Sequence, residues 1–287
     1  MQVRALSEFV GAEISGIDLA VGIRDSDWPA LHGAFRDHGV LVFRDQQLDE
    51  AQHVSFSRRF GPLEIHIAKQ YLHRQHPEIV VLSNRKRADG SAEGIEDAGR
   101  YWHSDLSYMA RPSLGSLLYA HVVPPPEQGG DTLFASMYAA YDALAEPMKQ
   151  QLRGRSAIHR YAQRWQQDAK EGRVRPELTA AERSATPDVL HPVVRRHPAS
   201  GRPALYVNEG FTAAIDGMPE SESAGLLAEL TAFSVQPAFV YRHRWRAGDL
   251  IFWDNRCVVH QATWYDPAAI RHLHRTTIAC DAVPVAA

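Results

Sequence analysis

From about Ile79 onward the chain is written in short β-type runs: IVVL (79–82), GSLLYAHVV (115–123), TLFA (132–135), VVRR (193–196), ALYVN (204–208), FVYRHRW (239–245), DLIFWD (249–254) and RTTIAC (275–280). Gly, Pro and Asp turns separate them, and many short strands punctuated in this way restrict the fold to a sandwich or barrel. YWHSDLSY, from Tyr101, reads as one more strand of the series. Val3–Leu6, Ala12–Ile14 and VLVF at 40–43 add short strands before it.

Helical spacing interrupts the pattern. Trp28, Leu31 and Phe35 follow the cap signal DSD at 25–27, and the segment 49–61 opens on Asp49 and closes on Gly61. Another helix begins near Ser136, and Leu226, Leu227, Leu230 and Phe233 share one face of 221–234. Such a stripe suits core packing or an interface in a dimer or tetramer. Residues 161–188 are polar and weakly periodic. They read as a solvated insertion or as a lid over a site. The expectation is a mainly β chain with flanking helices, one domain over residues 1–287.

Hydrophobic residues make up 45% of the 287 and charged residues 23%, a balance that supports a sizeable core. The net charge of −3 carries no electrostatic footprint for nucleic acid or an anionic membrane. Cys257 and Cys280 form no CxxC pair, the first residues lack a signal-peptide pattern, and no run is apolar enough to span a bilayer. A cytoplasmic protein is expected.

Position has to select among fifteen histidines. A strand sends alternate side chains to opposite faces, so His103 and Asp105 would point the same way. His260, near the end of another β-rich run, is the best third ligand. Two histidines and a carboxylate leave positions open on a non-haem iron(II), and zinc takes the same residue types. RHLHRTTI places Arg271, Leu273 and Arg275 on one strand face and His272 and His274 on the other. Arginines directed inward need anions, and their planar forks suit carboxylates or sulfonates. Solvent-facing arginines fit the same spacing.

WHSD, PPPEQGGDTLFASMYAAYDAL, FVYRHRW, GDLIFWDNRCVVH and RHLHRTTI, together with VLVFRDQQL and FSRRFGPLE, carry a family resemblance over most of the chain. The sequence resembles the iron(II)/2-oxoglutarate-dependent taurine/2,4-dichlorophenoxyacetate dioxygenases. That resemblance implies a double-stranded β-helix, or jelly roll, using Fe(II), 2-oxoglutarate and O2 to hydroxylate a small anionic organic substrate. Carbon–oxygen, carbon–nitrogen or carbon–sulfur cleavage can follow, with release of an aldehyde or ketoacid. It implies His103, Asp105 and His260 as iron ligands, and Thr132 and Arg271 as the clamp on the far carboxylate of 2-oxoglutarate. Trp253 falls where the family places an indole beside that co-substrate, and Arg275 where it engages the substrate's acidic group. The carboxylate of Asp105 implies hydroxylation rather than halogenation.

For the substrate, His66 resembles the residue that taurine enzymes use for the anionic head, and Lys69 aligns with a lysine of phenoxyacetate-type enzymes. Arg100 is a further cation. The AGRYWH lead differs from the asparagine-rich lead of taurine enzymes, and the C-terminal motifs read closer to the phenoxyacetate branch. A zinc or manganese jelly-roll isomerase or hydrolase with the same His/Asp/His set is the alternative; it has no need of the Thr132/Arg271 clamp. A 2-oxoglutarate sensor is a third, against which the intact ligand set argues.

Overall fold

The computed structural model describes residues 1–164, 177–280 and 282–287. Its largest sheet has seven strands, in the order Gln2–Ala5, Ala12–Ser15, Val40–Phe43, Leu250–Asp254, Gly115–Val122, His272–Ile278 and Val80–Ser83. All neighbours are antiparallel except Ala12–Ser15 beside Val40–Phe43. A three-stranded sheet, Val240–His243, Thr132–Ser136 and Val258–Ala262, contributes to the same core. Two further three-stranded sheets flank these, among the described residues.

Both faces of the central strands of the seven-stranded sheet are buried, which is why they read as unbroken apolar runs, whereas the edge strand Gln2–Ala5 is exposed. In VLVF, Val40 and Val42 join a core with Ile251, Trp253, Leu273, Phe134 and Val258. Leu41 and Phe43 turn the other way, toward Leu250, Phe252, Leu117, Leu31 and Phe56. The last two come from the helices Trp28–His38 and Glu50–Arg58, which cover that outer face. Asp49 caps the second helix through a reciprocal capping box with Gln52. In the helix Glu220–Ser234, Leu226 and Leu230 are buried and Leu227 and Phe233 pack against the same core, so the stripe serves packing. No described helix is long and apolar enough to cross a membrane.

The segment from Tyr101 departs from expectation. It is not a strand: His103 makes a single bridge to His260, and the chain then turns through Asp105–Tyr108 with Leu106 at φ +56°. Tertiary hydrogen bonds overrule local β propensity there. Ser104 Oγ donates to the Asn255 carbonyl at 2.7 Å, and the Asp105 amide donates to Asn255 Oδ1 at 3.2 Å. The alternation argument for His103 and Asp105 therefore fails. Part of the segment 161–188, expected as an insertion or a lid, lies outside the described residues; of the remainder, a short helix spans Ala180–Ala185.

Burial of histidine makes the fold acid-sensitive. His53 and His159 are 1% and 0% exposed, and burial pushes both imidazoles down to about 3. Below pH 6.5 the unfolded chain takes up protons that the folded chain refuses, so stability is full above that pH and declines as pH falls. The slope is about 1.4 kcal/mol per pH unit for each residue. Urea midpoints measured at pH 7.5 and pH 5.5 are expected to fall sharply, and equal midpoints would contradict the burial of neutral imidazoles.

Candidate metal centre and its pockets

His103, Asp105 and His260 are all buried, and one ligating atom from each lies within 4.8 Å of the others. His103 Nε2 stands 3.7 Å from Asp105 Oδ1, and His260 Nε2 stands 3.9 Å from Asp105 Oδ2. Two backbone hydrogen bonds tie the histidines together: His103 N to His260 O at 3.0 Å, and His260 N to His103 O at 2.8 Å. Their rings are 4.1 Å apart. A bridge between a loop and the strand Val258–Ala262 thus does what a continuous strand was expected to do.

Supporting groups orient each ligand. His103 Nδ1 meets the Tyr101 carbonyl at 2.9 Å, which assigns the proton to Nδ1 and leaves Nε2 with a free lone pair. Gly99, at φ +70°, lies so close that a Cβ there would come within 2.8 Å of His103 Cε1. Ser116 Oγ donates to Asp105 Oδ2 at 2.7 Å, and Arg275 Nη1 donates to Oδ1 at 3.1 Å. Trp253 packs on His260 with ring centroids 4.7 Å apart and donates its Nε1–H to Asn255 Oδ1 at 3.0 Å. Asn255 and Ser116 escaped sequence reasoning; Asn255 is the third residue of the quoted WDNR.

Electrostatics suit a cation at this point. Burial pushes the Asp105 carboxyl up, but Arg275, His260 and His103 together with the Ser116 hydrogen bond outweigh it and hold it below the usual carboxylate range. Burial keeps both imidazoles neutral, with His260 far below its usual value. The donors are thus a carboxylate and two unprotonated nitrogens converging on one point, the set a non-haem iron or zinc ion requires. The residues fit the ion.

Arg271 is 7% exposed, and burial lowers its guanidinium to about 10, so it stays charged at neutral pH. Among the described residues no carboxylate pairs with it; its neighbour is the Tyr265 ring, 5.7 Å from Cζ. A buried cation without an anion is costly unless a ligand supplies one. Arg100 lies over the same ring at 5.4 Å, exposed, away from the cavity described next. Thr132 is buried on the strand Thr132–Ser136, where its Oγ1 accepts from Trp245 Nε1 at 3.0 Å.

A cavity of ≈ 200 Å³ opens beside Asp105 and Arg275. His66 lines it, pushed down to about 4 by burial and by Arg275, as do Arg111, Ala185 and Thr186. Ile65, Ile67, Val80, Leu106, Tyr108 and Met109 make the rest of its wall largely apolar, with Glu64, Glu78 and Thr277 also on the lining. Lys69 is exposed on the short 3₁₀ turn Lys69–Tyr71 and does not line the cavity. The structure thus places Asp105 of the three candidate ligands, with Arg275 and His66, around one space and leaves Lys69 outside it.

The taurine catabolism dioxygenase TauD, TfdA family matches residues 2–277. The chain is similar to the alpha-ketoglutarate-dependent 2,4-dichlorophenoxyacetate dioxygenase of Cupriavidus pinatubonensis, with 37% identity over 97% of both chains. It is 36% identical to the (S)-phenoxypropionate/alpha-ketoglutarate-dioxygenase of Sphingobium herbicidovorans, over 97% of this chain and 95% of that one. Among solved structures, AAD-2 in complex with Mn(II) and N-oxalylglycine superposes with a TM-score of 0.83 at 31% identity, covering 99% of each chain.

Proposed function

Because the chain belongs to the TauD/TfdA family and is an iron(II)- and 2-oxoglutarate-dependent dioxygenase, we propose that His103, Asp105 and His260 hold its iron and that the cavity beside them takes a small carboxylate with an apolar body. The observation that carries the assignment is the convergence of the three ligating atoms within 4.8 Å. We further read the seven-stranded and central three-stranded sheets as the two halves of a jelly roll in one domain, with the triad at one end.

Iron(II) and 2-oxoglutarate supply the oxidising chemistry when bound: the keto acid is decarboxylated to succinate while O2 is reduced and a substrate C–H bond becomes C–OH. The chain's own part is positioning and exclusion. Tyr101 and Ser116 fix the tautomer of His103 and the rotamer of Asp105. Arg271, a buried cation with no carboxylate partner among the described residues, would bind the distal carboxylate of 2-oxoglutarate through its planar fork, together with Thr132. Trp253 backs His260 and shields the site from water.

Arg275 and His66 face the substrate. Arg275 holds Asp105 Oδ1 at 3.1 Å, while its buried Nε has no hydrogen-bond partner among the described residues. The Arg275 side chain lines the cavity and is the cation we assign to an anionic head, and a neutral His66 adds a second polar contact. The apolar wall then favours an aryl or branched carboxylate over taurine, whose body is short and polar. The 2,4-dichlorophenoxyacetate and phenoxypropionate named for two relatives have that character.

Anaerobic titration of the iron(II)-loaded protein with 2-oxoglutarate tests the reading. Bidentate chelation is expected to give a weak visible charge-transfer band, and addition of aryloxy carboxylates, but not taurine, is expected to shift it. Absence of the band from iron-loaded protein would overturn the site; a shift with taurine alone would overturn the substrate class. Arg271→Ala is expected to raise the KM for 2-oxoglutarate by roughly 10–100-fold with a much smaller change in substrate KM. The reverse pattern in steady-state kinetics would exchange the roles of Arg271 and Arg275.

A further inference from the structure

The HLH motif sends His272 and His274 to the face of the seven-stranded sheet opposite Arg275, and the dioxygenase chemistry uses neither. There His274 meets His121 from the neighbouring strand, with ring centroids 4.2 Å apart. Glu50, the first residue of the covering helix, approaches the same place. One ligating atom from each of the three lies within 4.8 Å of the others. His121 Nε2 is 3.0 Å from His274 Nδ1, and Glu50 Oε1 is 3.8 Å from that same nitrogen.

We propose that Glu50, His121 and His274 form a second divalent-metal site, distinct from the iron triad, that takes a borderline ion such as zinc(II).

The backbone builds this arrangement. Along the paired strands His272 lies opposite Val122 and Leu273 opposite Ala120, so the register slips by one and His121 is the residue left over. A bulge of this kind re-aims the extra side chain. Tyr119 and His121 face outward, Ala120 inward, and the slip brings His121 over His274. His274 is buried, while Glu50 and His121 are half-buried. His121 also lines an open surface cavity of ≈ 360 Å³ with Asp45, Gln46 and Gln47, which gives an ion a path in.

Among the described residues, one hydrogen bond joins two members of this group and none reaches the third. Two neutral imidazoles at 3.0 Å share a single proton, and a carboxylate at 3.8 Å lies beyond hydrogen-bond reach. A cation between the three would take one lone pair from each, once the donating imidazole has moved its proton to its other ring nitrogen. Two nitrogens of a tetrahedral zinc site stand about 3.3 Å apart at ordinary Zn–N lengths, so only a small side-chain adjustment is needed. Two imidazoles and one carboxylate favour zinc, copper or nickel over magnesium or calcium, and leave a position for water. His272, 4.9 Å from His274 between ring centroids, stands close by as a further imidazole.

Equilibrium dialysis of the metal-stripped full chain against micromolar zinc(II), with zinc counted per chain, tests the proposal. Wild type is expected to bind two ions, Asp105→Ala one, His121→Ala one, and the double variant none. Glu50→Gln, a half-buried change at the start of a helix, is expected to weaken the second ion at least about tenfold, and a thermal melt checks that each variant is folded. Loss of all zinc from Asp105→Ala would overturn the proposal. So would retention of both ions by folded His121→Ala, or a second ion that binds only at millimolar zinc.

Discussion

Asp105→Ala is expected to abolish iron(II) retention and hydroxylation together while leaving the chain folded. Asp105 is 5% exposed, and its two oxygens are divided between Ser116 and Arg275 on one side and the two imidazoles on the other. Removing the carboxylate takes away the one anionic donor and leaves Arg275 and two imidazoles facing the site, a field that repels a divalent cation. Loss of a supporting partner of a metal ligand costs roughly 10–100-fold in affinity or activity. Loss of the ligand itself is expected to exceed that, whereas Ser116→Ala should fall inside the range. Iron per chain after anaerobic dialysis, measured beside succinate production, distinguishes the two variants. An Asp105→Ala protein that keeps iron and still hydroxylates would mean that another carboxylate completes the centre.

The same residue marks where sequence reasoning succeeded and where it went astray. His103 and Asp105 do converge, but not through strand alternation: the chain bridges once to His260 and turns at Leu106. No local signal announces that turn, because the hydrogen bonds that hold it come from Asn255, 150 residues away, and from Ser116 on the next strand. Where the period-2 rule acts on a true strand it holds. In His272–Ile278, Leu273 enters the core between the sheets, Arg275 reaches the cavity, and His274 goes to the opposite face. Unbroken apolar runs such as VLVF and LIFW gave away strands buried on both sides, since covering helices remove any need for a polar face. Loop residues were least legible. His66 lines the cavity and Lys69, three positions on, does not, because a short 3₁₀ turn rather than a regular repeat sets their directions. The register slip at His121 could not be read at all, since a bulge is fixed by the pairing of two strands.

Asp254→Ala is expected to produce the largest loss of stability, by about 3–5 kcal/mol, the cost of leaving a buried charge without its partner. Asp254 ends the strand Leu250–Asp254 and is 0% exposed. It accepts from Arg256 Nε at 2.8 Å and Nη2 at 2.6 Å, from the Arg256 amide at 2.9 Å, and meets His197 Nε2 at 3.1 Å. Burial alone would raise its carboxyl, but Arg256 prevails and holds it below the usual range. Without it the Arg256 guanidinium is stranded in a region of low dielectric, and the turn that presents Asn255 to Asp105 loses its anchor. On a chain of this size such a loss lowers Tm by on the order of 10 °C. Urea denaturation at pH 7.5 measures it. The double variant Asp254→Ala/Arg256→Met separates charge from packing: removing the stranded cation should restore part of the stability, because the penalty belongs to the unpaired charge. Equal stability of the single and double variants would place the loss in packing around the turn instead.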